Sequence, residues 1–221
     1  MDASTNSRSM PTEVRDSDAI IYLLDDERQV VLGLAALLES HGFATQVFTS
    51  VGEFFEAHDP RRPGCLILDV CLPGMSGLEL QTFMRAKGVI RPIVFVTGQG
   101  DIPMTVQAMK AGAVSFLPKP VKRLELIAAV EEAIRRDSVE RHHQQGQADI
   151  AERLSTLTQR ERQVMNLVIA GMLNKQIAAE LGIAEKTIKV HRSKMMRKLC
   201  VRTPAALASL ITRSAWQPPA G

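Results

Sequence analysis

Five short apolar runs, each followed by a stretch with helical spacing, constrain this chain more than any other feature. They read AIIYLL at 19–24, FATQVF at 43–48, GCLILDV at 64–70, PIVFVTG at 92–98 and VSFLP at 114–118. Helical patterns follow at 27–41, 50–58, 78–88, 102–111 and 121–137. Runs rich in Ile, Val and Leu and bounded by Gly, Pro and Asp are strands buried on both faces. Alternating with helices, they require a parallel sheet covered on both sides. The expected fold class for 19–137 is therefore α/β, a five-stranded doubly wound sheet, and in such sheets ligand sites lie at the carboxyl ends of the strands.

Beyond 137 the strand pattern stops. The stretch 138–155, SVERHHQQGQADIAERLS, is polar and Gln-rich, which marks a connector between domains, helical in part. Its His142 and His143 are adjacent, and adjacent positions on a helix do not share a face, so they make no metal pair. The segment 156–215 contains only helical patterns. Thr158-Gln159-Arg160-Glu161 is a capping box opening a helix that Gly171 ends, and Asn174 is placed to cap a second helix through Glu180. Gly182 makes the turn into a third helix over 185–199, with Ile188, Met195 and Leu199 as its apolar stripe. Thr203-Pro204 opens a last helix, 204–214, with Ala205, Leu207, Ala208 and Ile211 for packing. Residues 1–18 and 216–221 are polar or Pro-rich ends without periodicity, read as tails.

With 221 residues, 45% of them hydrophobic and 23% charged, the chain is able to bury a sizeable core, which excludes a wholly disordered protein. No apolar run approaches the roughly 20 residues of a membrane span, and the first residues lack the apolar centre of a secretory signal. A cytoplasmic protein is expected, with no membrane partner. Cys65, Cys71 and Cys200 form no CxxC pair, so they read as reduced and mostly buried. The net charge of +3 conceals an asymmetry: 19–137 holds 12 basic and 14 acidic residues, whereas 156–215 holds 11 basic and 3 acidic. A compact basic module suits a polyanion, because neutralising phosphates needs Lys and Arg on one surface.

The strand ends carry a specific set of side chains: Asp25 and Asp26 after the first run, Asp69 after the third, Thr97 after the fourth and Lys119 after the fifth. Three carboxylates at one rim repel each other, and a hard cation such as Mg²⁺ offsets that repulsion. A carboxylate whose oxygen attacks phosphorus becomes an acyl phosphate, and the charge on the equatorial oxygens then needs a metal, an ammonium and a hydroxyl. Asp69, Mg²⁺, Lys119 and Thr97 supply that set. Any one of these aspartates alone would be read as a cap or turn residue.

The segments LLDDE, LILDVCLPGMSG, VFVTGQGDIPMTVQAMKAGA and FLPKP resemble those of a two-component receiver domain along the whole of 19–137. The resemblance implies that Asp69 accepts phosphate from a phosphohistidine of a sensor histidine kinase. It implies that Asp26 and Asp69 bind the metal through carboxylates, that Asp25 helps through water, and that Cys71 contributes its main-chain carbonyl. Phe116 falls at the aromatic switch position, where its residue type alone would make it core, and Lys119-Pro120 matches the family's cis peptide bond.

Within 156–215, the run LTQRERQVMNLVIAGMLNKQIAAELGIAEKTIKVHRSKMMRKL resembles the LuxR-type helix-turn-helix. The resemblance implies that the 185–199 helix enters the major groove, carrying Lys186, Lys189, Arg192, Lys194, Arg197 and Lys198. Lys189 and Val190 then approach base edges, while Thr187, His191 and Lys194 suit phosphates. Ala184 stands where many relatives have a capping Ser, a loss of roughly 1 kcal/mol that Glu185 partly offsets at the positive helix end.

Taken together, the chain resembles a response regulator of the NarL/FixJ kind, nearest the FixJ-like branch. That implies promoter DNA as the output partner, pairing of two copies on phosphorylation, and contact with RNA polymerase. It is not expected to be an enzyme beyond self-phosphorylation and slow self-dephosphorylation. A metal-dependent phosphatase is the less favoured reading, because Cys71 stands where a general acid would be wanted two residues past Asp69. A scaffold that is never phosphorylated is another, and the intact Asp25, Asp26, Asp69, Thr97 and Lys119 argue against it.

Overall fold

The structure, a computed structural model, describes residues 19–98 and 101–214; the tails expected at 1–18 and 216–221 lie outside the described residues. The chain divides into two compact units between Glu140 and Arg141.

The first unit alternates β1 (Ile20–Leu24), α1 (Arg28–Glu39), β2 (Ala44–Phe48), α2 (Val51–Ala57), β3 (Gly64–Leu68), α3 (Gly77–Ala86), β4 (Ile93–Thr97), α4 (Ile102–Lys110), β5 (Ser115–Pro118) and α5 (Arg123–Ser155). All five strands are parallel, in the order β2-β1-β3-β4-β5. The period-two alternation of strand side chains sorts the apolar residues onto two faces. Ile21, Leu23, Cys65, Ile67, Val94 and Val96 pack with Val31 and Leu38 of α1 and Leu126 and Val130 of α5. Ile20, Tyr22, Leu24, Leu66, Leu68 and Phe95 face the other way, toward Phe54 of α2, Leu80 and Met84 of α3 and Ala108 of α4. Covered on both faces, the inner strands are apolar throughout, which is why they read as unbroken runs.

The order of the strands reverses at β1, so the connections leave in opposite directions on either side of the β1–β3 pair. The crevice that opens there, at the carboxyl ends, is where a doubly wound sheet holds its ligand. At the other end of β3, Gly64 has φ +139 and donates its N–H to Oδ2 of Asp137, 2.9 Å away on α5. Asp137 is buried, so its carboxylate ties α5 to the start of β3.

Helix α5 runs on through the stretch 138–155, which holds good helix formers and no proline. Its far part joins the second unit, where Ile150 and Leu154 are buried in the core. That unit continues with α6 (Gln159–Ile169), α7 (Asn174–Leu181), α8 (Glu185–Lys198) and α9 (Pro204–Arg213). Thr158 caps α6 in a capping box with Glu161, and Gly182, at φ 64, supplies the left-handed residue that ends α7. Ile177, Ile188, Met195, Leu199 and Leu207 are fully buried between these helices.

Two sequence expectations are corrected. Asn174 does not cap α7: Leu173 takes the N-cap position, and its N–H donates to Oε1 of Gln176 at 2.8 Å. The Asn174 amide oxygen is engaged by Arg192 instead. Of the cysteines, only Cys65 is buried, where desolvation pushes its thiol up to about 12; Cys71 and Cys200 are exposed.

A Cβ on Gly64 would collide with the carbonyl oxygen of Ile20, a backbone atom of the adjacent strand, and its φ is one that L side chains rarely adopt. Gly64→Ala is expected to cost about 3 kcal/mol or more in urea unfolding of the whole chain, well above the ordinary surface substitution.

Candidate functional site

Three strand ends converge on one ammonium. Asp25 follows β1, Asp69 follows β3 and Lys119 follows β5. The Lys119 Nζ lies 2.6 Å from Oδ2 of Asp25, 2.9 Å from Oδ2 of Asp69 and 3.4 Å from Oε1 of Glu27. The backbone holds this group in place: the Asp69 N–H donates to the Leu24 carbonyl and the Lys119 N–H donates to the Thr97 carbonyl at 2.8 Å. The second oxygen of each aspartate is fixed locally, Asp25 Oδ1 by the Glu27 N–H at 2.9 Å and Asp69 Oδ1 by the Cys71 N–H at 3.2 Å. The Lys119–Pro120 peptide bond is cis.

Burial shapes the charge of these groups. Both aspartates are nearly excluded from water, and desolvation raises the Asp25 carboxyl against the lowering pull of Lys119 and of the Glu27 N–H. Burial alone would lower the Lys119 ammonium, but its hydrogen bonds to Asp25 and Asp69, and their charges, outweigh that and raise it. The lysine is therefore a fixed cation at neutral pH.

One oxygen from each of Asp25, Glu27 and Asp69 lies within 4.8 Å of the other two, an all-oxygen donor set of the kind Mg²⁺ takes. The set differs from the expected one. Asp26 is exposed and outside this group, while Glu27 is inside it. Asp25 is buried just past the end of β1, whereas the next residue, Asp26, is exposed. Thr97, the last residue of β4, is buried at the rim. Phe116 is half-buried on β5, its ring centroid 6.0 Å from that of Phe95. The Cys71 thiol is exposed.

In the second unit α8 presents its cations unequally. Lys186, Thr187, Lys189, Val190 and Lys194 are exposed, with Val190 at 46% although apolar, while His191 and Arg192 are half-buried. The Arg192 Nη1 donates to Oδ1 of Asn174 at 2.8 Å, fixing α8 against the start of α7. Lys198 donates to Oε2 of Glu161 at 2.6 Å and to the Thr156 carbonyl at 2.9 Å, fixing the far end of α8 against the start of α6. Sequence reading placed Glu161 in a capping box but gave no partner for Lys198, because 37 residues separate them.

A parallel sheet with a buried aspartate–lysine cluster at its switch point, and a basic helix-turn-helix beyond it, define a two-domain regulator. The response regulator receiver domain pattern matches residues 21–131, and that of the bacterial regulatory proteins of the luxR family matches residues 155–211. Nodulation protein W of Bradyrhizobium diazoefficiens is 44% identical over 196 residues, which are 89% of this chain and 85% of that protein. The transcriptional regulatory protein FixJ of Azorhizobium caulinodans is 39% identical over 179 residues, covering 81% and 85%. The solved structure of the response regulator StyR is similar with a TM-score of 0.82 at 46% identity, over 89% of this chain and 99% of that one. The chain belongs to the two-component response regulators with a receiver domain and a LuxR-type DNA-binding domain. Among the described residues no helix is long and apolar enough to cross a membrane.

The Glu161 carboxyl, 2% exposed, would be raised by burial, but the Lys198 ammonium and the Thr158 N–H and hydroxyl hold it below the usual carboxylate range. A depressed folded value stabilises the fold above the unfolded value near 4.5 and loses that contribution as pH falls through the folded one. Glu161→Gln is expected to cost about 1.5–3 kcal/mol at pH 7 and to flatten the acid loss below pH about 4.5. Urea unfolding of the whole chain, followed by hydrogen-exchange protection over 159–169, measures both.

Proposed function

We propose that Asp69 is the phosphoacceptor of this regulator and that its phosphorylation by a sensor histidine kinase brings two copies together on promoter DNA. The observation that carries the reading is the Asp69 carboxylate at the switch point, within 2.9 Å of a permanently charged Lys119. An oxygen of Asp69 attacks the phosphorus of a phosphohistidine; the P–O bond forms as the P–N bond breaks, and the imidazole leaves with the electron pair. Charge on the equatorial oxygens is met by Lys119 and by the hydroxyl of Thr97.

A bound Mg²⁺ would neutralise the transferring phosphoryl group. Asp26 and Asp69 would hold it through carboxylates, Cys71 through its carbonyl and Asp25 through water, following the family pattern. The all-oxygen rim of Asp25, Glu27 and Asp69 supports a divalent cation at this place. Phe116 would then settle further against the sheet beside Phe95 as Thr97 engages the phosphoryl group.

The output is transcription control in the cytosol. Ile102, Val106 and Met109 leave α4 with an exposed apolar face, which supports pairing of two receivers. Pairing lets two helix-turn-helix modules address half-sites about 34–36 Å apart and turns weak single contacts into an avid complex. Lys186, Thr187, Lys189, Val190, His191 and Lys194 would meet the DNA, Lys189 and Val190 at base edges. Arg192, bound to Asn174, would act by holding α8 in place. RNA polymerase is the partner that such a bound dimer would engage. Phosphoryl chemistry would be confined to self-phosphorylation and slow self-hydrolysis, since Cys71 offers no general acid.

Two measurements test the site. Asp69→Asn should abolish labelling by acetyl phosphate; undiminished labelling of that variant would place the acceptor elsewhere. Titration calorimetry with Mg²⁺ should show affinity falling about ten-fold or more in Asp26→Asn and little in Glu27→Gln, as the family pattern requires. The reverse order would make Glu27 the ligand.

A further inference from the structure

The three acidic residues of the basic module sit in different circumstances. Glu161 is buried against Lys198, and Glu180 is exposed on α7. Glu185 is the first residue of α8, exposed, with its Oε1 3.2 Å from the Nζ of Lys189 one turn on. It is the sole acid on a helix that carries six Lys and Arg. Ala184 before it gives no side-chain cap.

In a helix-turn-helix the N-terminal residues of the second helix meet base edges. A carboxylate carried into a groove lined by phosphates is repelled unless an amino donor receives it. Major-groove edges offer such donors only on cytosine N4 and adenine N6, and a carboxylate accepts from cytosine N4. Lys189, close enough to offset the carboxylate's charge, is itself a donor suited to guanine O6 and N7. One helical turn advances about 5.4 Å and one base pair about 3.4 Å, so the two side chains reach the same or neighbouring base pairs.

We infer that Glu185 is a specificity-determining residue, selecting a cytosine at or beside the base pair that Lys189 meets. The inference rests on the DNA-binding reading above. It gives the Glu185–Lys189 pair two opposed effects: the carboxylate weakens binding to DNA in general and sharpens the choice among sequences. A carboxylate that only favoured the helix end or screened Lys189 would change affinity on all sequences alike.

The test selects duplexes from a random library with the full-length chain, acetyl phosphate and Mg²⁺, comparing the wild type with Glu185→Ala and Glu185→Gln. In the wild type one position per half-site is expected to favour cytosine about ten-fold. Glu185→Ala should lose that preference, keep the other positions, and bind random-sequence DNA as tightly or more tightly. Glu185→Gln should move the preference toward adenine, which a glutamine amide reads through N6 and N7. Cytosine retained by both variants, or the whole motif lost in both, would overturn the inference while leaving DNA recognition in place. A wild-type chain that selects no motif would overturn both.

Discussion

The ammonium of Lys119, held between Asp25 and Asp69, is the interaction on which the receiver depends. Two nearly buried carboxylates at the ends of neighbouring strands would repel each other across a medium that screens poorly. One cation within 3 Å of each keeps both at the rim. The arrangement needs all three strand ends in register, because each residue lies just past the last one in its strand. It therefore needs the order β2-β1-β3-β4-β5, which brings β1 beside β3 and leaves the crevice open at their carboxyl ends. The same contacts that hold the resting fold are those a phosphoryl group on Asp69 would take over, since the phosphoryl oxygens and the carboxylate compete for one ammonium.

The second unit uses charge in a different way. Its excess of cations would repel if gathered on one helix without compensation. The structure fixes α8 by giving a cation at its middle and one at its last residue an internal partner: Arg192 with Asn174, and Lys198 with the buried Glu161. Lys186 and Lys194 remain at the surface. A helix with all of its cations facing solvent would attract DNA but would not be held at a defined angle to it. Arg192 and Lys198 add polar anchors to the apolar packing of Ile188, Met195 and Leu199 that seats the helix.

Much of this was legible before any coordinates. The strand runs are unbroken because both faces of the sheet are covered, and the helix starts at Thr158 and Thr203 follow from local hydroxyl-to-backbone bonds that the sequence spells out. Asp25, Asp69, Thr97 and Lys119 were found at strand ends because each apolar run stops where its strand does. Side-chain placement at the margins was less legible. Glu27 lies in the acidic cluster and Asp26 outside it. Asn174 had the composition of a cap and became an anchor for Arg192, because a tertiary partner competed for its oxygen. Cys71 and Cys200 had the composition of core residues and lie at the surface.

Periodicity and local hydrogen bonding act over a few residues, so the sequence by itself determined the elements, their class and the chemistry at the strand ends. Pairings such as Glu161 with Lys198, Asn174 with Arg192 and Asp137 with Gly64 join residues 18 to 73 positions apart. Their geometry depends on how whole helices and strands pack, and packing is set by the sum of many weak apolar contacts that no short pattern records. The tertiary structure alone decided which charges are spent holding the fold and which are left to meet a partner.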